Sequence, residues 1–160
     1  MDKEKKRIAR YLCLQAIYAC EVSGNQALNV FKTLKTNDDP ILMNHFNQDL
    51  QELFGSLSDE QFLYSQKLYD VSVINKEYVD TIIKDNLNNW DISRLSLIDK
   101  LILRMSISEM FFIDDVPPKV SITEGVEIAK VFSTNDSSGF VNGILDVVYN
   151  DLYIKQTNKS

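Results

Sequence analysis

The sequence predicts an all-α protein, for three reasons. Apolar residues recur at helical spacing along most of the chain, and no segment shows the sustained alternation of a strand. Only five glycines and three prolines occur among 160 residues, too few for the turns of an all-β fold. The hydrophobic fraction, 44%, is enough for a real core at this length. We expect one domain over residues 1–154, built from about seven helices, and a frayed polar tail at residues 155–160.

The helix boundaries follow from capping residues and breakers. Gly24 ends the first helix, and residues 133–139 are expected to form a small polar loop before the last one. Three pairs resemble capping boxes: Ser58 with Gln61, Ser96 with Asp99, and Ser121 with Glu124. The predicted helices are 4–23, 59–73, 75–88, 97–112, 122–132 and 140–152, with two short ones plausible at 26–35 and 41–53. The most apolar, 97–112, is expected to be central and mostly buried.

The sequence also indicates the cellular compartment of the protein. No apolar run approaches a membrane span, and the basic amino terminus leads into an amphipathic helix rather than a signal peptide. Cys13 and Cys20 lie about 10 Å apart along one predicted helix, which is too far for a disulfide. We therefore expect a cytoplasmic protein without membrane contact, with both cysteines as small core side chains.

The residues give little support to an enzyme. His45 is the one histidine, and no Walker A, GxGxxG or Glu-x-x-His pattern occurs. Gly139 and Gly143 form a GxxxG pair, which in this context indicates close helix packing. We expect no catalytic residues, no cofactor and no metal.

The amino terminus concentrates basic charge. The whole chain has a net charge of −6, yet residues 1–10 hold five basic and two acidic residues, a local +3. Four of these cations stand at helical spacing on one face, which suits phosphates along an RNA strand, although a solvated surface is the alternative. They are Lys3, Lys6, Arg7 and Arg10. Tyr18, two turns further on, could stack on a base or pack in the core.

The size of this basic face limits what it can bind alone. Four neutralised phosphates on a single strand imply a salt slope of about −3 in log–log terms, or roughly fifty-fold weaker binding at 200 than at 50 mM salt. We therefore expect weak RNA binding by the isolated chain and a partner that enlarges the surface.

The stretch from Trp90 to Asp146 carries the most specific pattern. It contains Trp90-Asp91-Ile92-Ser93-Arg94-Leu95, Ile102-Leu103-Arg104, Glu109, Val116-Pro117-Pro118-Lys119-Val120, Ile122-Thr123-Glu124 and Phe140-Val141-Asn142-Gly143-Ile144-Leu145-Asp146. In order and spacing this resembles the carboxy-terminal signature of the NusB family. The segment Lys6-Arg7-Ile8-Ala9-Arg10, followed by Gln15-Ala16-Ile17-Tyr18, is similar to the family's basic first helix. Residues 24–60 match nothing specific.

The resemblance implies two packed helical bundles and a transcription antitermination factor. The family recognises boxA-type RNA in ribosomal-RNA leaders, pairs with the ribosomal small-subunit protein NusE, and joins an RNA polymerase elongation complex with other Nus factors. It implies RNA contacts for Lys6, Arg7 and Arg10, and for Asp136 in the loop before the last helix. Asp99 matches an acidic position on the helix that faces NusE.

Other matched residues are expected to be structural. Arg104 lies in the most apolar helix and should pair with Glu109 or Glu124. Trp90 and Phe140 are expected as core anchors, and Asn142 could bond to backbone across the GxxxG contact. The chain departs from the family at Gly139, where a basic residue is common, and Thr123 replaces the usual asparagine.

Two other readings remain open. The same fold could serve as a helical protein–protein interaction module with little RNA contact. NusB-like domains also precede RNA cytosine methyltransferases, but a chain ending at Ser160 leaves no room for a methyl-donor-binding domain.

Overall fold

The computed structural model describes residues 1–24, 31, 48–87 and 95–159. Every element within them is helical, which confirms the all-α prediction. His45, Trp90, most of the predicted helix 26–35 and the first part of the helix 41–53 lie outside these residues. The described chain divides into an amino-terminal unit, Met1–Val73, and a carboxy-terminal unit, Ile74–Ser160.

Helix α1, Lys3–Ser23, begins and ends as its sequence predicts. The Asp2 carboxylate accepts a hydrogen bond of 2.9 Å from the Lys5 backbone N–H, which satisfies one of the donors left open at a helix start. Gly24 takes a left-handed conformation, with φ of 69°, and its N–H donates to the Cys20 carbonyl. The buried apolar side of α1 comprises Ala9, Leu12, Cys13, Leu14, Ala16, Ile17 and Ala19.

The amino-terminal unit continues with α2, Gln48–Gly55, and α3, Asp59–Ile74. The Ser58–Gln61 capping box is confirmed, because the Gln61 N–H donates to Ser58 Oγ at 3.2 Å and Gln61 Oε1 accepts from the Ser58 N–H at 3.1 Å. Three rings pack edge-to-face in this unit, with Phe31 5.5 Å from Phe62 and 5.0 Å from Tyr69 between centroids.

The carboxy-terminal unit is built around one buried helix. Its helices are α4, Lys76–Asp85; α5, Leu97–Phe112; α6, Pro118–Phe132; α7, Asn135–Val148; and, after a π-helical turn at Tyr149–Tyr153, α8, Ile154–Thr157. Residues 101–110 of α5 are all buried, and α5 packs against α4, α6 and α7. The expectation of a central buried helix is confirmed.

Three predicted boundaries are wrong. Helix α6 begins at Pro118 rather than after Ser121, since proline has no N–H and suits a first helical position. Glu124 therefore lies within α6 and does not cap it. Helix α7 begins at Asn135, which shortens the expected polar loop to two residues. Helix α8 extends to Thr157, so the start of the expected frayed tail is helical.

The GxxxG pair does not mark close packing. Within the described part of the chain, a Cβ atom added to Gly139 or Gly143 would meet nothing within 4 Å, and Asn142 between them is exposed. The roles expected for all three residues at a helix contact are therefore wrong. Close approach occurs instead at Gly125 of α6, where a Cβ atom would lie 2.5 Å from Ser106 Oγ of α5.

Helix α1, with 21 residues, is the longest described helix. Neither it nor any other described helix is apolar enough over its length to cross a membrane.

Candidate nucleic-acid interface

The predicted basic face of α1 is only partly open. Lys3 and Lys5 are exposed, and Lys6 and Arg7 are half-buried. Arg10, expected on the same open face, is 2% exposed. That expectation is corrected, because the third helical turn of α1 already lies inside the amino-terminal unit, where a guanidinium needs partners within the protein.

Arg10 contacts Tyr64, a residue of α3. Arg10 Nη2 donates to Tyr64 Oη at 3.5 Å, and the guanidinium carbon lies 5.8 Å from the centre of the same ring. Lys6 Nζ lies 5.6 Å from that ring centre. Both distances are within the range of a cation–π interaction. We call Lys6, Arg10 and Tyr64 the cation–tyrosine cluster.

The aromatic ring offsets a repulsion within α1. Lys6 and Arg10 are four residues apart on one helix face, and like charges at that spacing destabilise a helix by about 0.2–0.5 kcal/mol. A cation over a tyrosine ring gains about 0.5–1 kcal/mol at a partly exposed site. The ring of Tyr64 thus allows two cations to stand next to each other on α1.

A second side chain of α3 holds the start of α1. Gln61 Nε2 donates to the Lys5 carbonyl at 3.1 Å, while the other end of the same amide caps α3. Gln61 and Tyr64 are one turn apart, so both side chains lie on the side of α3 that contacts α1. Neither residue was among the sequence candidates, because nothing in the sequence pairs α3 with α1.

Carboxylates near the same end reduce the positive charge. The Met1 ammonium lies 3.6 Å from Glu60 Oε1, Asp2 caps α1, and Glu4 lies in its first turn. Asp59 and Glu60 open α3, where acidic residues favour the helix dipole. The cationic surface is therefore small, in keeping with the expected weak binding of an isolated basic face.

The other two predicted RNA contacts, Tyr18 and Asp136, belong to different units of the chain. Tyr18 is half-buried on α1, so part of its surface is open to solvent. Asp136 is exposed in the first turn of α7, and Phe140 is half-buried one turn later. Tyr18 belongs to the amino-terminal unit and the other two belong to the carboxy-terminal unit. The contacts of Tyr18 and Asp136 with RNA stay predictions, as does the role of Phe140 as a core anchor.

Asp99, expected to face a protein partner, is held inside the carboxy-terminal unit. It is 7% exposed, its Oδ1 accepts from Ser133 Oγ at 2.7 Å, and its Oδ2 accepts from Ser137 Oγ at 2.9 Å. The Asp99 N–H donates to Ser96 Oγ, which confirms Ser96 as the N-cap of α5. The carboxylate thus joins the start of α5 to the start of α7. A direct partner contact would have to compete with these bonds.

The buried charge of α5 is paired with a residue that the sequence analysis missed. Arg104 forms a bidentate ion pair with Asp80 of α4, with Nε–Oδ1 at 2.8 Å and Nη2–Oδ2 at 2.9 Å. The expected partners were Glu109 and Glu124, each 1% exposed; Glu109 accepts from Ser121 Oγ at 2.8 Å. The available signal was the position of Asp80 on α4, one turn before the buried Ile83.

The described residues contain no group of three or more metal-ligating side chains that could hold an ion.

Residues 7–150 match the model of the NusB family. This chain belongs to the NusB family. It is 37% identical over 150 residues to the transcription antitermination protein NusB of Chloroherpeton thalassium, which covers 94% of this chain but only 64% of that relative. It is 38% identical over 141 residues to the NusB protein of Listeria monocytogenes, which covers 88% of this chain and 93% of the relative.

Solved structures in the family share the fold. NusB from T. maritima superposes with a TM-score of 0.72 at 24% identity and full coverage of both chains. A chain from the crystal structure of the antitermination factors NusB and NusE with double-stranded RNA gives a TM-score of 0.67 at 23% identity, covering 92% of this chain and 98% of that one. These similarities confirm the NusB-like helical fold.

Proposed function

We propose that this protein is a non-enzymatic, RNA-binding transcription antitermination factor that acts in the cytoplasm. The observation that carries the proposal is the open part of the basic first helix in a chain of the NusB family, with Lys3, Lys6 and Arg7 at its start. Close relatives are transcription antitermination proteins. The role follows from family membership together with this cationic surface.

The proposed ligand is a single-stranded RNA of the boxA type, as found in transcripts of ribosomal-RNA operons. Lys3, Lys6 and Arg7 would bind phosphates, with Arg10 supporting them from inside the unit. Tyr18 would stack on an unpaired base, and Asp136 would approach the strand. Three phosphate contacts on a single strand give a salt slope of only about 2, so a partner is needed for tight binding.

The proposed partner is NusE, and the pair would join an elongating RNA polymerase with other Nus factors. A related NusB chain occurs in a complex with NusE and double-stranded RNA. A second protein next to the small cationic surface would add contacts that this acidic chain lacks, since its net charge is −6.

Fluorescence anisotropy with short labelled RNAs tests this proposal. A boxA RNA, a scrambled RNA of equal composition and a boxA duplex would each be titrated with this chain, with and without NusE, at low and near-physiological salt. We expect weak, salt-dependent binding to the single strands by the chain alone, and tighter binding selective for boxA when NusE is present. Equal affinity for boxA and scrambled RNA in the presence of NusE would contradict the proposal.

The alternative is a protein–protein interaction module with little RNA contact. The burial of Arg10 and the carboxylates of Asp2, Glu4 and Glu60 near the start of α1 favour it. In that case NusE would bind this chain, but RNA would change neither the affinity nor its salt dependence. Copurification of NusE together with an RNA titration separates the two functions.

A further inference from the structure

We infer that Tyr64 is a positioning residue for RNA binding, and that it holds the Lys6 ammonium in place for a phosphate. The inference rests on the proposed function and adds a residue outside the basic helix to its machinery. It is drawn from the cation–tyrosine cluster, in which the rigid tyrosine ring contacts both Lys6 and Arg10.

The ring is fixed from inside the amino-terminal unit. Arg10 is buried and donates to Tyr64 Oη while its guanidinium lies over the ring. Gln61, one turn earlier on α3, bonds to the backbone of α1 and sets the two helices against each other. Tyrosine has only two side-chain torsions, so these contacts leave its ring little freedom.

Lys6 gains order from this ring without losing its ability to bind phosphate. A lysine ammonium has three N–H donors, and a ring beneath it engages only one side. Lys6 is half-buried, so another part of its side chain is open to solvent. A lysine held in advance loses less freedom when a phosphate binds than a mobile one does. Tyr64 should therefore raise affinity without adding a phosphate contact.

This role has a distinctive salt signature. Tyr64→Leu removes the ring but no charge, so the same phosphates are neutralised in the complex. We expect binding to a short labelled boxA RNA to weaken about two- to five-fold, the equivalent of one cation–π contact, with an unchanged salt slope. Lys6→Gln removes the charge itself, and should also lower the slope by about 0.7. Tyr64→Phe keeps the ring and should restore most of the affinity.

Leu63→Ala is the matched control, because Leu63 is a neighbour on α3 whose side chain is 64% exposed. It should bind RNA as the unmodified chain does. If Tyr64→Leu binds equally well or more tightly, the ring either does nothing or sequesters Lys6, and the inference is overturned. If the unmodified chain binds no RNA with or without NusE, the proposed function fails first, and the inference fails with it.

Nuclear magnetic resonance checks the geometry without RNA. The ring should shift the Hε protons of Lys6 upfield of those of Lys5, and Tyr64→Phe should retain that shift. Absence of the shift in the unmodified chain would refute the placement of Lys6, even if Tyr64→Leu failed to fold.

Discussion

The two units use charged residues differently. In the amino-terminal unit, the cations at the start of α1 are partly open; the Tyr64 ring contacts Lys6, and the Gln61 amide bonds to the backbone of Lys5. In the carboxy-terminal unit, Arg104 and Asp99 are almost fully buried, and each is satisfied by polar groups of the same unit. The first arrangement leaves charge available to a ligand, whereas the second uses charge to fix the helices.

This difference explains why the family signature and the proposed RNA-binding surface lie in different parts of the chain. The signature that resembles the family runs from Trp90 to Asp146, and matched residues within it, such as Arg104 and Glu109, have internal partners. Buried ion pairs demand particular residues at particular spacings, so they leave a readable pattern. A cationic surface needs only lysines and arginines on one face. Its sequence pattern is therefore less specific than that of a buried ion pair.

The largest effect should come from breaking the Arg104–Asp80 pair. Arg104→Ala leaves a partly buried carboxylate without its bidentate partner, and we expect a loss of about 3 kcal/mol in the free energy of unfolding. Lys100→Ala is the control, because its Nζ lies 3.9 Å from Asp80 and its side chain is 31% exposed. It should cost less than about 1 kcal/mol. Urea denaturation measures both, and equal losses would show that burial does not distinguish the two pairs.

Asp99→Ala tests whether this carboxylate is structural. Loss of the bonds from Ser133 and Ser137 should reduce stability by about 2 kcal/mol, since hydrogen bonds to a charged acceptor are the stronger kind. Ser137→Ala should cost about half as much. Thermal melts with and without NusE provide the measurement. Unchanged stability together with lost NusE binding would instead make Asp99 a partner contact.

Two glycine substitutions should change the stability of the protein in opposite directions. Gly125→Ala would force a Cβ atom against Ser106 Oγ and lower stability by about 1–2 kcal/mol. Gly143→Ala adds a methyl group to an exposed position of α7 with nothing nearby, and should raise stability by about 0.5–1 kcal/mol. Melting temperatures of the two variants give the answer. A destabilising Gly143→Ala would restore the close-packing interpretation of the GxxxG pair.

Arg7→Ala should separate binding from stability in the amino-terminal unit. We expect the salt slope of RNA binding to fall by about 0.7 and the free energy of unfolding to change by less than about 0.5 kcal/mol. Lys84→Ala removes an exposed cation from the end of α4 and should leave RNA binding unchanged. A loss of stability in Arg7→Ala as large as in Arg104→Ala would remove the contrast between the units.

The smallest effect concerns the buried phenol of Tyr69. Burial raises the pKa of Tyr69 above its ordinary value of 10.0, and the neighbouring Cys20 side chain raises it further. The folded state keeps this proton while the unfolded chain loses it, so stability falls as the pH rises above 10.0. Tyr69→Phe has no ionisable hydroxyl at this position, so it does not lose stability in this way. Its advantage in melting temperature over the unmodified chain should grow between about pH 9 and 11; a constant difference would contradict the assignment.

Most helix positions could be read from local chemistry. Asp2 and Gly24 bound α1, Ser58 with Gln61 starts α3, and Ser96 starts α5, because caps act within one turn of the backbone they satisfy. Pro118, expected only as a breaker, starts α6, because proline suits a first helical position; the Ser121–Glu124 pattern had predicted a later start. The family was also predicted from sequence, since the order and spacing of the matched residues are local facts.

The tertiary structure decided which residues meet. The contact of Arg10 with Tyr64 joins residues 54 positions apart, and the pair of Arg104 with Asp80 joins residues 24 apart. Periodicity gives the face on which a side chain lies, but not which helix covers that face. Arg10 was therefore predicted to be open and is buried, whereas Tyr64 was not a candidate and lies beside the cations. The sequence determined the helices, their caps and the charge at the start of α1; helix packing alone determined which of those charges reach the solvent.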